Sequence, residues 1–368
     1  MKPVLYLTFD SIQEGVGASQ ALAYVKKIAE KRQIELISFE KETPDQELVV
    51  DIQKYGINWI PLPFGKYGPV GGVGRIFRLW KKIDRSSIIH ARGNLSAVAA
   101  MLRFPRFWIW DSRALHADQR KALSNDANPI NYYLMRSIEY LLGRRSNAII
   151  AITNAVVPIY VARYRISLDK IYVISTCVDT NLFYYQPRNR TNVTRILLQG
   201  TFSSAYDINM MNKIIAKFRA LGEVEVTVCT SKGSTSLWKE LDYNFVQSAK
   251  YEEMPAIIAA HDIGMSIWKE DLGICLKSVA STKVAEFLAI GRPIFVNAGQ
   301  GDLADIFQNN AVGVITRGGS DVEISNYVSK MIELLDSKVK EFNYSDVVGK
   351  NYSLNKAIDK LNLLYSTN

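Results

Sequence analysis

Short apolar runs, each about as long as one buried strand, alternate with helical stretches along this chain of 368 residues. Repeated strand–helix units build parallel sheets that helices cover on both faces. The units form two series, separated by the polar segment Pro187-Arg188-Asn189-Arg190. The chain is also too long for one typical core. The sequence therefore predicts an α/β protein with two doubly wound, Rossmann-like domains at residues 1–184 and 185–345, followed by a C-terminal helix within 346–368.

The elements of the two series can be assigned from the apolar pattern. Predicted strands cover residues 4–9, 34–38, 57–62, 88–91, 108–110, 148–152 and 171–175, and then 195–198, 224–229, 263–267, 294–297 and 312–316. Predicted helices cover residues 18–31, 132–144, 207–220, 254–260, 282–290 and 353–365. Ligands of such sheets bind beyond the carboxyl ends of the strands, and we expect them here in the cleft between the domains.

Composition argues against a disulfide scaffold, a zinc site and a membrane span. The three cysteines, Cys177, Cys229 and Cys275, are far apart, which fits a reducing cytoplasm, and the three histidines are equally scattered. No run of about 18 uncharged apolar residues occurs. The first residues, Met1–Leu7, indicate a buried strand rather than a signal peptide, because their apolar stretch is short and Asp10 follows it.

Positive charge is concentrated in the first half of the chain. Residues 1–165 hold 24 Lys and Arg against 14 Asp and Glu, whereas the remainder holds 21 against 22. A basic half favours nucleic acid, an anionic membrane surface or a phosphorylated substrate. The segment Arg75–Lys82 is basic and amphipathic at helical spacing, as is typical of a helix in a lipid headgroup layer, and Arg103–Trp108 is similar. The alternative is a solvated helix face with its apolar side in the core. No RNA-binding signature or zinc finger is present, so nucleic acid is not predicted.

The first predicted strand runs into a loop with two glycines, Gly15 and Gly17, before the next helix. Glycines let the backbone approach a ligand closely and expose its N–H groups. A dinucleotide fingerprint needs a third glycine where Gln20 stands, so a dehydrogenase is not expected. The alternative is a tight turn without a ligand.

Two further strand ends of the first half carry charged side chains. His90 and Arg92 end one strand, and Asp111 and Arg113 follow the next, with His116 just beyond. Because the carboxyl ends of strands in α/β proteins carry the chemistry, these residues are site candidates. Asp111 and Arg113 could equally pair with each other, and His90 could be a core histidine.

The second half contains a helix start suited to an anion. Ser281, Thr282 and Lys283 put two hydroxyls and a cation where free N–H groups and the helix dipole favour negative charge. Glu286 follows about one turn later and can accept hydrogen bonds from the group that carries the anion. A phosphate joined to a polyhydroxylated partner fits this arrangement, so a nucleotide or sugar nucleotide is the first hypothesis. An ordinary capped helix before a core strand is the alternative.

Two loops of the second half extend this candidate site. Gly200, Thr201 and Ser203 follow the first strand of the second series, and their N–H and hydroxyl groups suit a phosphate. The loop Gly299-Gln300-Gly301-Asp302 follows a later strand and again suggests close backbone approach. No Asp-x-Asp motif occurs, so Lys283, arginines and helix dipoles rather than a carboxylate-held Mg²⁺ are expected to meet the charge of a diphosphate.

Taken together, these segments resemble the family 4 glycosyltransferases of the GT-B architecture over nearly the whole chain. The loop Gly15-Val16-Gly17-Ala18-Ser19-Gln20 is similar to the acceptor-side loop of the family. The segment Lys170–Phe183 resembles the family's "K-I-x-V-I-P-N-x-V-D-x-x-x-F" stretch, and Glu286, Gly291 and Pro293 match its donor-binding helix. In the family, this glutamate binds the ribose hydroxyls and the C-terminal helix crosses back onto the first domain.

Several positions depart from the family pattern. Ser278 stands eight residues before Glu286, where a first glutamate commonly contacts the donor sugar. The loop that usually supplies an Arg and a Lys to the diphosphate has neither, and Asp207 lies near the position of that Lys, so Lys283 is expected to supply the charge. The usual His of the first domain falls near Asp111. Two alternatives stay open: a sugar-nucleotide-binding scaffold without turnover, and a sugar-nucleotide 2-epimerase.

The resemblance implies a retaining, metal-independent hexosyl- or N-acetylhexosaminyl-transferase without a cofactor. Its substrates would be a nucleoside diphosphate sugar and a glycan or lipid-linked acceptor in bacterial cell-surface polysaccharide synthesis. It would be cytoplasmic or peripheral on the inner face of the membrane, docked through the basic first domain. The implied catalytic residues are Asp111, Arg113 and Lys283; the donor-binding residues are Gly200, Thr201, Ser203, Ser281, Thr282, Lys283 and Glu286; the acceptor-side residues are Gly15, Val16, Gly17, Ser19, Gln20, His90 and Arg92; and the sugar-side residues are Gly299, Gly301 and Asp302.

Overall fold

A computed structural model describes residues 2–123, 128–189, 191–230, 236–337 and 341–366 of the chain. The chain divides into two units, Met1–Ser175 with Leu354–Asn368, and Thr176–Ser353. The first division lies before the predicted boundary at 184, because Val178 and Phe183 belong to the hydrophobic core of the second unit. The predicted linker therefore lies in the second unit, and its last residue, Arg190, falls outside the described residues.

The first unit is built on a parallel sheet with the strand order β3-β2-β1-β4-β5-β6-β7. The strands are β1 Val4–Leu7, β2 Ile34–Glu40, β3 Asn58–Pro63, β4 Ile88–Arg92, β5 Trp108–Asp111, β6 Ala148–Ala151 and β7 Ile171–Val173. Its helices are α1 Ala23–Ala29, α2 Gln46–Lys54, α3 Gly68–Lys82, α4 Asn94–Arg103, α5 His116–Leu123, α6 Pro129–Arg145 and α7 Val157–Tyr164. A π-helical turn, Gly17–Leu22, precedes α1, and a 3₁₀ turn, Leu168–Lys170, precedes β7.

The second unit repeats this design with the strand order β10-β9-β8-β11-β12-β13. The strands are β8 Thr194–Gln199, β9 Val224–Cys229, β10 Phe245–Gln247, β11 Ile263–Ser266, β12 Ile294–Asn297 and β13 Gly313–Thr316. The helices are α8 Ile208–Arg219, α9 Met254–Ala259, α10 Thr282–Ile290, α11 Leu303–Gln308, α12 Asp321–Asp336 and α13 Glu341–Asn351. Short 3₁₀ segments occur at Ser236–Glu240, Tyr251–Glu253 and Glu270–Ser278.

The paired strands of both sheets run parallel, which confirms the predicted fold class. Their apolar side chains are almost fully buried, as expected for sheets with helices on both faces. Parallel pairing also brings strand ends together, since Tyr6 lies opposite His90 and Arg92 lies opposite Asp111. The central strands β1, β4 and β5 therefore present their final residues at one edge of the first sheet.

The last helix, α14 (Leu354–Ser366), belongs to the first unit and packs against α1. The Arg32 guanidinium, which follows α1, donates to the Asn362 side-chain oxygen and backbone carbonyl at 3.1 Å each. Lys31 forms an ion pair with Asp359 at 2.9 Å. These contacts anchor the end of the chain on the first sheet's helical layer. Within the described residues, no helix is both long and apolar enough to span a membrane.

Candidate active site

The loop after β1 is folded tightly around a buried carboxylate. Glu40, the last residue of β2, accepts hydrogen bonds from the Ser11 hydroxyl at 2.5 Å, the Ile12 N–H at 3.2 Å, the Gln13 side-chain amide at 3.1 Å and the Ser38 hydroxyl at 2.5 Å. A buried carboxylate with this many donors fixes the backbone around it. Sequence reasoning missed Glu40, because an acid at the end of an apolar strand carries no local signal of a partner nearly thirty residues away.

Two positions of this loop favour glycine, each for a different structural reason. Gly15 has a φ of 55°, a conformation that side chains disfavour. At Gly17 a Cβ atom would lie 1.7 Å from the Ser11 carbonyl oxygen, so only glycine fits there. Of the other predicted loop residues, Val16 is exposed, whereas Ser19 and Gln20 are buried in the π-helical turn, where the Ser19 hydroxyl donates to the Gly15 carbonyl. The ligand-accessible part of the loop therefore lies before Ser19.

Charged side chains converge where β4 and β5 end. The Asp111 carboxylate contacts an Arg113 nitrogen at 3.2 Å, an Arg92 nitrogen at 3.6 Å and His90 Nε2 at 3.4 Å. Arg92 also donates through Nε to Asp10, which is half exposed, at 3.2 Å. Four of the predicted residues, His90, Arg92, Asp111 and Arg113, thus form one cluster.

Electrostatics keep Asp111 ionised. Burial raises the pKa of Asp111, but the Arg113 guanidinium, the His90 hydrogen bond and the Arg92 guanidinium together outweigh it, so the pKa lies well below its usual range. The site therefore holds the Asp111 carboxylate in a fixed position between two guanidiniums. This carboxylate can accept hydrogen bonds from hydroxyl groups.

The other side of His90 faces the C-terminal helix. His90 Nδ1 lies 2.6 Å from the Tyr365 hydroxyl in α14, and the Tyr6 ring stacks on the imidazole with centroids 4.4 Å apart. All three side chains are buried. The sequence indicated neither aromatic contact, because Tyr365 lies 275 positions from His90 along the chain.

A second buried acid holds the segment that follows β5. The Glu139 carboxylate in α6 accepts hydrogen bonds from the Ala117 N–H at 3.0 Å and from the Asn94 side-chain amide at 3.4 Å, and it pairs with Arg136 at 3.3 Å. Burial raises its pKa above the ordinary value. Burial lowers the pKa of the adjacent His116, whose Nε2 atom has no partner within the described chain. Glu139 therefore anchors the segment that carries His116.

In the second unit, α10 begins with an unusual concentration of buried polar groups. Ser281 is the N-cap residue of α10, and its hydroxyl accepts a hydrogen bond from the Ser266 hydroxyl at 3.2 Å rather than capping the helix. Lys283 is buried, hydrogen-bonded to the Tyr206 hydroxyl, and its Nζ lies 4.2 Å from the Tyr206 ring centroid. The Val284 N–H donates to the Ser281 carbonyl at 3.1 Å, whereas the first N–H groups of a helix, here those of Thr282 and Lys283, point out of the helix start, where an anion can bind.

Lys283 also explains the glycine in the loop after β8. A Cβ atom at Gly200 would lie 3.1 Å from Lys283 Nζ, and Gly200 has a φ of 130°. Thr201 is exposed next to it, and Ser203 is half-buried. Asp207, near the position where the resemblance leads us to expect a lysine, caps α8 by accepting from the Met210 N–H at 2.9 Å. The cation of this site therefore comes from α10 rather than from the loop.

Glu286 is buried in α10 and held by the end of β8. The Gln199 side-chain amide donates to the Glu286 carboxylate at 2.5 Å, whereas the amide oxygen of Gln199 has no partner among the described residues. Burial raises the pKa of Glu286 to about 7, against the opposing effects of the Gln199 hydrogen bond and the Lys283 charge. Gln199 was not predicted as a site residue.

The loop after β12 is ordered by backbone and amide contacts. Gly299 and Gly301 have φ values of 89° and 43°, and the Gly301 N–H donates to the Leu276 carbonyl at 2.8 Å. Asp302 is the N-cap residue of α11. Ser278, where the resemblance leads us to expect a glutamate, is buried and donates to the Cys275 carbonyl at 2.9 Å. In the described part of the chain, no group of three His, Cys, Asp or Glu side chains is arranged to hold a metal ion.

Solved structures share this fold over the full length of the chain. A glycosyltransferase from Rickettsia africae is 16% identical, with coverage of 100% of this chain and 98% of the other and a TM-score of 0.69. Sucrose-phosphate synthase from Thermosynechococcus elongatus is 12% identical, with 100% and 99% coverage and a TM-score of 0.73. Anabaena HepE in complex with UDP and glucose is 13% identical, with 100% coverage of both chains and a TM-score of 0.72. The fold is therefore that of the GT-B class.

Part of the sequence also matches the model of a protein family. Residues 18–182 match the family model of Glycosyltransferase Family 4. No curated protein sequence matches the chain significantly. The match covers less than half of the chain, and its agreement with the GT-B fold of the whole chain supports a glycosyltransferase.

Proposed function

We propose that this glycosyltransferase transfers a sugar, with retention of configuration, from a nucleoside diphosphate sugar to a glycan or lipid-linked acceptor in bacterial cell-surface polysaccharide synthesis. The observation that carries the proposal is that Lys283 and Glu286 both lie in the first two turns of α10. One is a cation at a helix start and the other is a buried carboxylate, which matches a phosphate linked to a sugar diol. The complex of Anabaena HepE with UDP and glucose supports this ligand class.

The donor site is assigned to the second unit. Glu286 accepts hydrogen bonds from the ribose hydroxyls of the nucleoside, and Gln199 holds its carboxylate in place. The diphosphate is bound by Lys283, the N–H groups of the first turn of α10, and the hydroxyls of Ser281, Thr282, Thr201 and Ser203. Gly200 lets the diphosphate approach the backbone. The loop with Gly299, Gly301 and Asp302 is assigned to the sugar.

The proposed catalysis is stabilisation of the negative charge that develops on the leaving diphosphate. The difficult step is departure of the diphosphate from the anomeric carbon through an oxocarbenium-like state. Lys283 and the dipole of α10 stabilise the negative charge that grows on the leaving phosphate. This electrostatic assistance comes from protein groups alone, and we propose that the reaction needs neither a metal ion nor a cofactor.

The acceptor side is assigned to the first unit. The ionised Asp111 accepts a hydrogen bond from the acceptor hydroxyl, and Arg113 and Arg92 hold that carboxylate in position. The backbone of the loop at Gly15 and Gly17 and the exposed Val16 contact the acceptor further from the reacting atoms.

We also propose that the first unit docks on an anionic membrane at the inner face of the cell. Its α3 helix exposes Val70, Val73 and Phe77 along one stripe, and the neighbouring Leu102 and Phe104 are exposed too. These apolar side chains are surrounded by bases, which suits a surface of anionic headgroups above acyl chains. The enzyme would then be cytoplasmic and peripheral, close to lipid-linked acceptors.

The direct test is a thermal-shift series with UDP, GDP, ADP, CMP and representative diphosphate sugars, with and without EDTA. A ligand at about 100 times its dissociation constant adds about 2.7 kcal/mol of stability. We expect one base to give a selective shift that EDTA does not change and that Glu286→Ala abolishes, whereas the exposed control Glu333→Gln retains it. No shift with any nucleotide would refute the donor assignment.

One specific observation favours a second candidate, a sugar-nucleotide-binding scaffold without turnover. Ser278 stands where the resemblance leads us to expect a glutamate, and its hydroxyl donates to the Cys275 carbonyl, while the loop from Thr201 to Ser204 has no cation. Donor binding without transfer or hydrolysis would favour this candidate. A 2-epimerase would instead interconvert two sugar nucleotides without any acceptor.

A further inference from the structure

A hydrogen-bonded chain links the C-terminal helix to the acceptor-side carboxylate. The Tyr365 hydroxyl lies 2.6 Å from His90 Nδ1, His90 Nε2 lies 3.4 Å from one Asp111 oxygen, and the other Asp111 oxygen lies 3.2 Å from Arg113. Tyr365, His90 and Asp111 are each no more than 3% exposed. Water is thereby excluded from the chain, and each contact decides the orientation of the next group.

When the imidazole of His90 is neutral, these hydrogen bonds can run in only one donor-to-acceptor direction. An ionised Asp111 accepts hydrogen bonds and donates none, so His90 Nε2 carries the proton. Nδ1 is then an acceptor, and the Tyr365 hydroxyl must donate to it. By donating to Nδ1, Tyr365 favours, together with Asp111, the tautomer of His90 that points an N–H group at Asp111.

The groups around the chain prevent the imidazole from turning away. Tyr6 stacks on one face of His90, and the Tyr365 ring meets it edge-on with centroids 6.0 Å apart. Tyr365 is itself held, because the Arg32 guanidinium lies 5.6 Å from its ring centroid and donates to Asn362 in the preceding turn of α14. The position of the hydroxyl is thus set by the docking of α14 on the first unit.

We propose that Tyr365 is a positioning residue, which sets the tautomer and orientation of His90 so that Asp111 faces the acceptor, and that the acceptor site is complete only when α14 is docked. This inference rests on the acceptor role assigned to Asp111 above. It adds a residue from the last turn of the chain to a site that is otherwise built by the first half of the sequence.

The experiment compares Tyr365→Phe with the matched control Tyr164→Phe. Both tyrosines are buried in the first unit, but the Tyr164 hydroxyl has no hydrogen-bond partner among the described residues. The first readout is NMR of protein labelled with ¹⁵N-histidine, with the His90 signals assigned by loss in His90→Gln. Wild type and Tyr164→Phe should show a single Nε2–H tautomer, and Tyr365→Phe should show a mixture. An unchanged tautomer in Tyr365→Phe overturns the proposal.

The second readout is hydrolysis with water as the acceptor. The donor is whichever of UDP-glucose, UDP-N-acetylglucosamine and GDP-mannose stabilises the wild-type protein most. Tyr365→Phe should lower kcat roughly threefold to tenfold, the effect of one neutral hydrogen bond, with donor KM unchanged. A raised donor KM with unchanged kcat contradicts positioning at Asp111. If no donor binds, the proposed function fails, while the tautomer readout still decides the role of Tyr365.

Discussion

At the scale of single residues, Glu286 predicts a pH dependence of donor binding. Its pKa is raised to about 7 by burial, and in the proposed donor site only the ionised carboxylate can accept hydrogen bonds from both ribose hydroxyls. Donor affinity should therefore rise with pH up to about 7 and level off above it, falling towards tenfold per pH unit on the acid side. Titration calorimetry between pH 5.5 and 8.5 measures this, and Glu286→Gln should flatten the profile.

The raised pKa of Glu286 also makes the stability of the unliganded protein depend on pH. Because the folded state holds the Glu286 proton more tightly than the unfolded state does, the stability contribution of this group falls as pH rises from about 4.5 to about 7. The melting temperature of the unliganded wild type should drop more across this range than that of Glu286→Gln. Equal slopes for the two proteins would contradict the assignment of the raised pKa to Glu286.

Gly17 allows a second test at this scale. A Cβ atom at Gly17 would overlap the Ser11 carbonyl, so Gly17→Ala must displace the loop or the start of the π-helical turn. We expect a loss of about 1–3 kcal/mol in the free energy of unfolding, as for other overpacking substitutions, measured by urea denaturation. Gly72→Ala is the matched control in α3, where an added Cβ meets nothing and helix propensity gains up to about 1 kcal/mol.

At the scale of elements, Arg292 fastens the connection between α10 and β12. Its guanidinium is buried and donates to the carbonyls of His261, Gln186 and Ala259 at 2.7–2.8 Å. Arg292→Met would leave these carbonyls without donors and should cost about 3 kcal/mol or more of stability. Denaturant titration checks this against the exposed control Arg317→Met, which should stay within about 0.5 kcal/mol of wild type.

The elements also show how far the sequence could predict the structure. Strands such as β9 and β12 were predicted at their observed bounds, because short apolar runs buried on both faces have few other interpretations. The helix α4 was not predicted, since it packs against both α3 and α6 and its alanines give no polar face. The helix predicted over 18–31 begins instead as a π-helical turn at Gly17.

Only part of the candidate site could be predicted from the sequence. Asp111, Arg92 and Glu286 could be found because each lies at a strand end or helix start with a recognisable pattern. The residues that hold them could not, because Tyr365 contacts His90, the neighbour of Asp111, across 275 positions of sequence, and Gln199 contacts Glu286 across 87. Such contacts depend on how the elements pack, and no local periodicity encodes them.

At the scale of the whole molecule, the distribution of charge sets one helical layer apart. From residue 64 to residue 147 the chain has 15 Lys and Arg against five Asp and Glu. Of those acids, Asp111 and Glu139 are buried and Asp118 pairs with Arg163. Asp84, just after α3, is exposed, but bases predominate on the exposed surface of α3 and the end of α4. The apolar stripe lies within this surface, which is unfavourable for a surface that meets only water.

This arrangement predicts reversible, salt-sensitive binding to anionic membranes. The protein should co-sediment with vesicles that contain phosphatidylglycerol at low ionic strength, bind neutral phosphatidylcholine vesicles weakly, and dissociate as salt screens the bases. Lys81→Gln with Lys82→Gln should weaken binding roughly tenfold or more, at about 1 kcal/mol per base. Phe77→Ser should weaken it without changing its salt dependence, because Phe77 contributes buried apolar area rather than charge.

A matched control distinguishes membrane binding through α3 from nonspecific adsorption by any exposed aromatic side chain. Phe245→Ser removes an aromatic side chain of the second unit that is as exposed as Phe77, each at 54%, but that lies outside the basic layer. It should bind vesicles like wild type. No sedimentation with anionic vesicles at low salt would refute membrane docking, and equal losses in Phe77→Ser and Phe245→Ser would refute its assignment to α3. Because the proposed donor site lies in the second unit, the substitutions in α3 should leave the nucleotide-induced thermal shift unchanged.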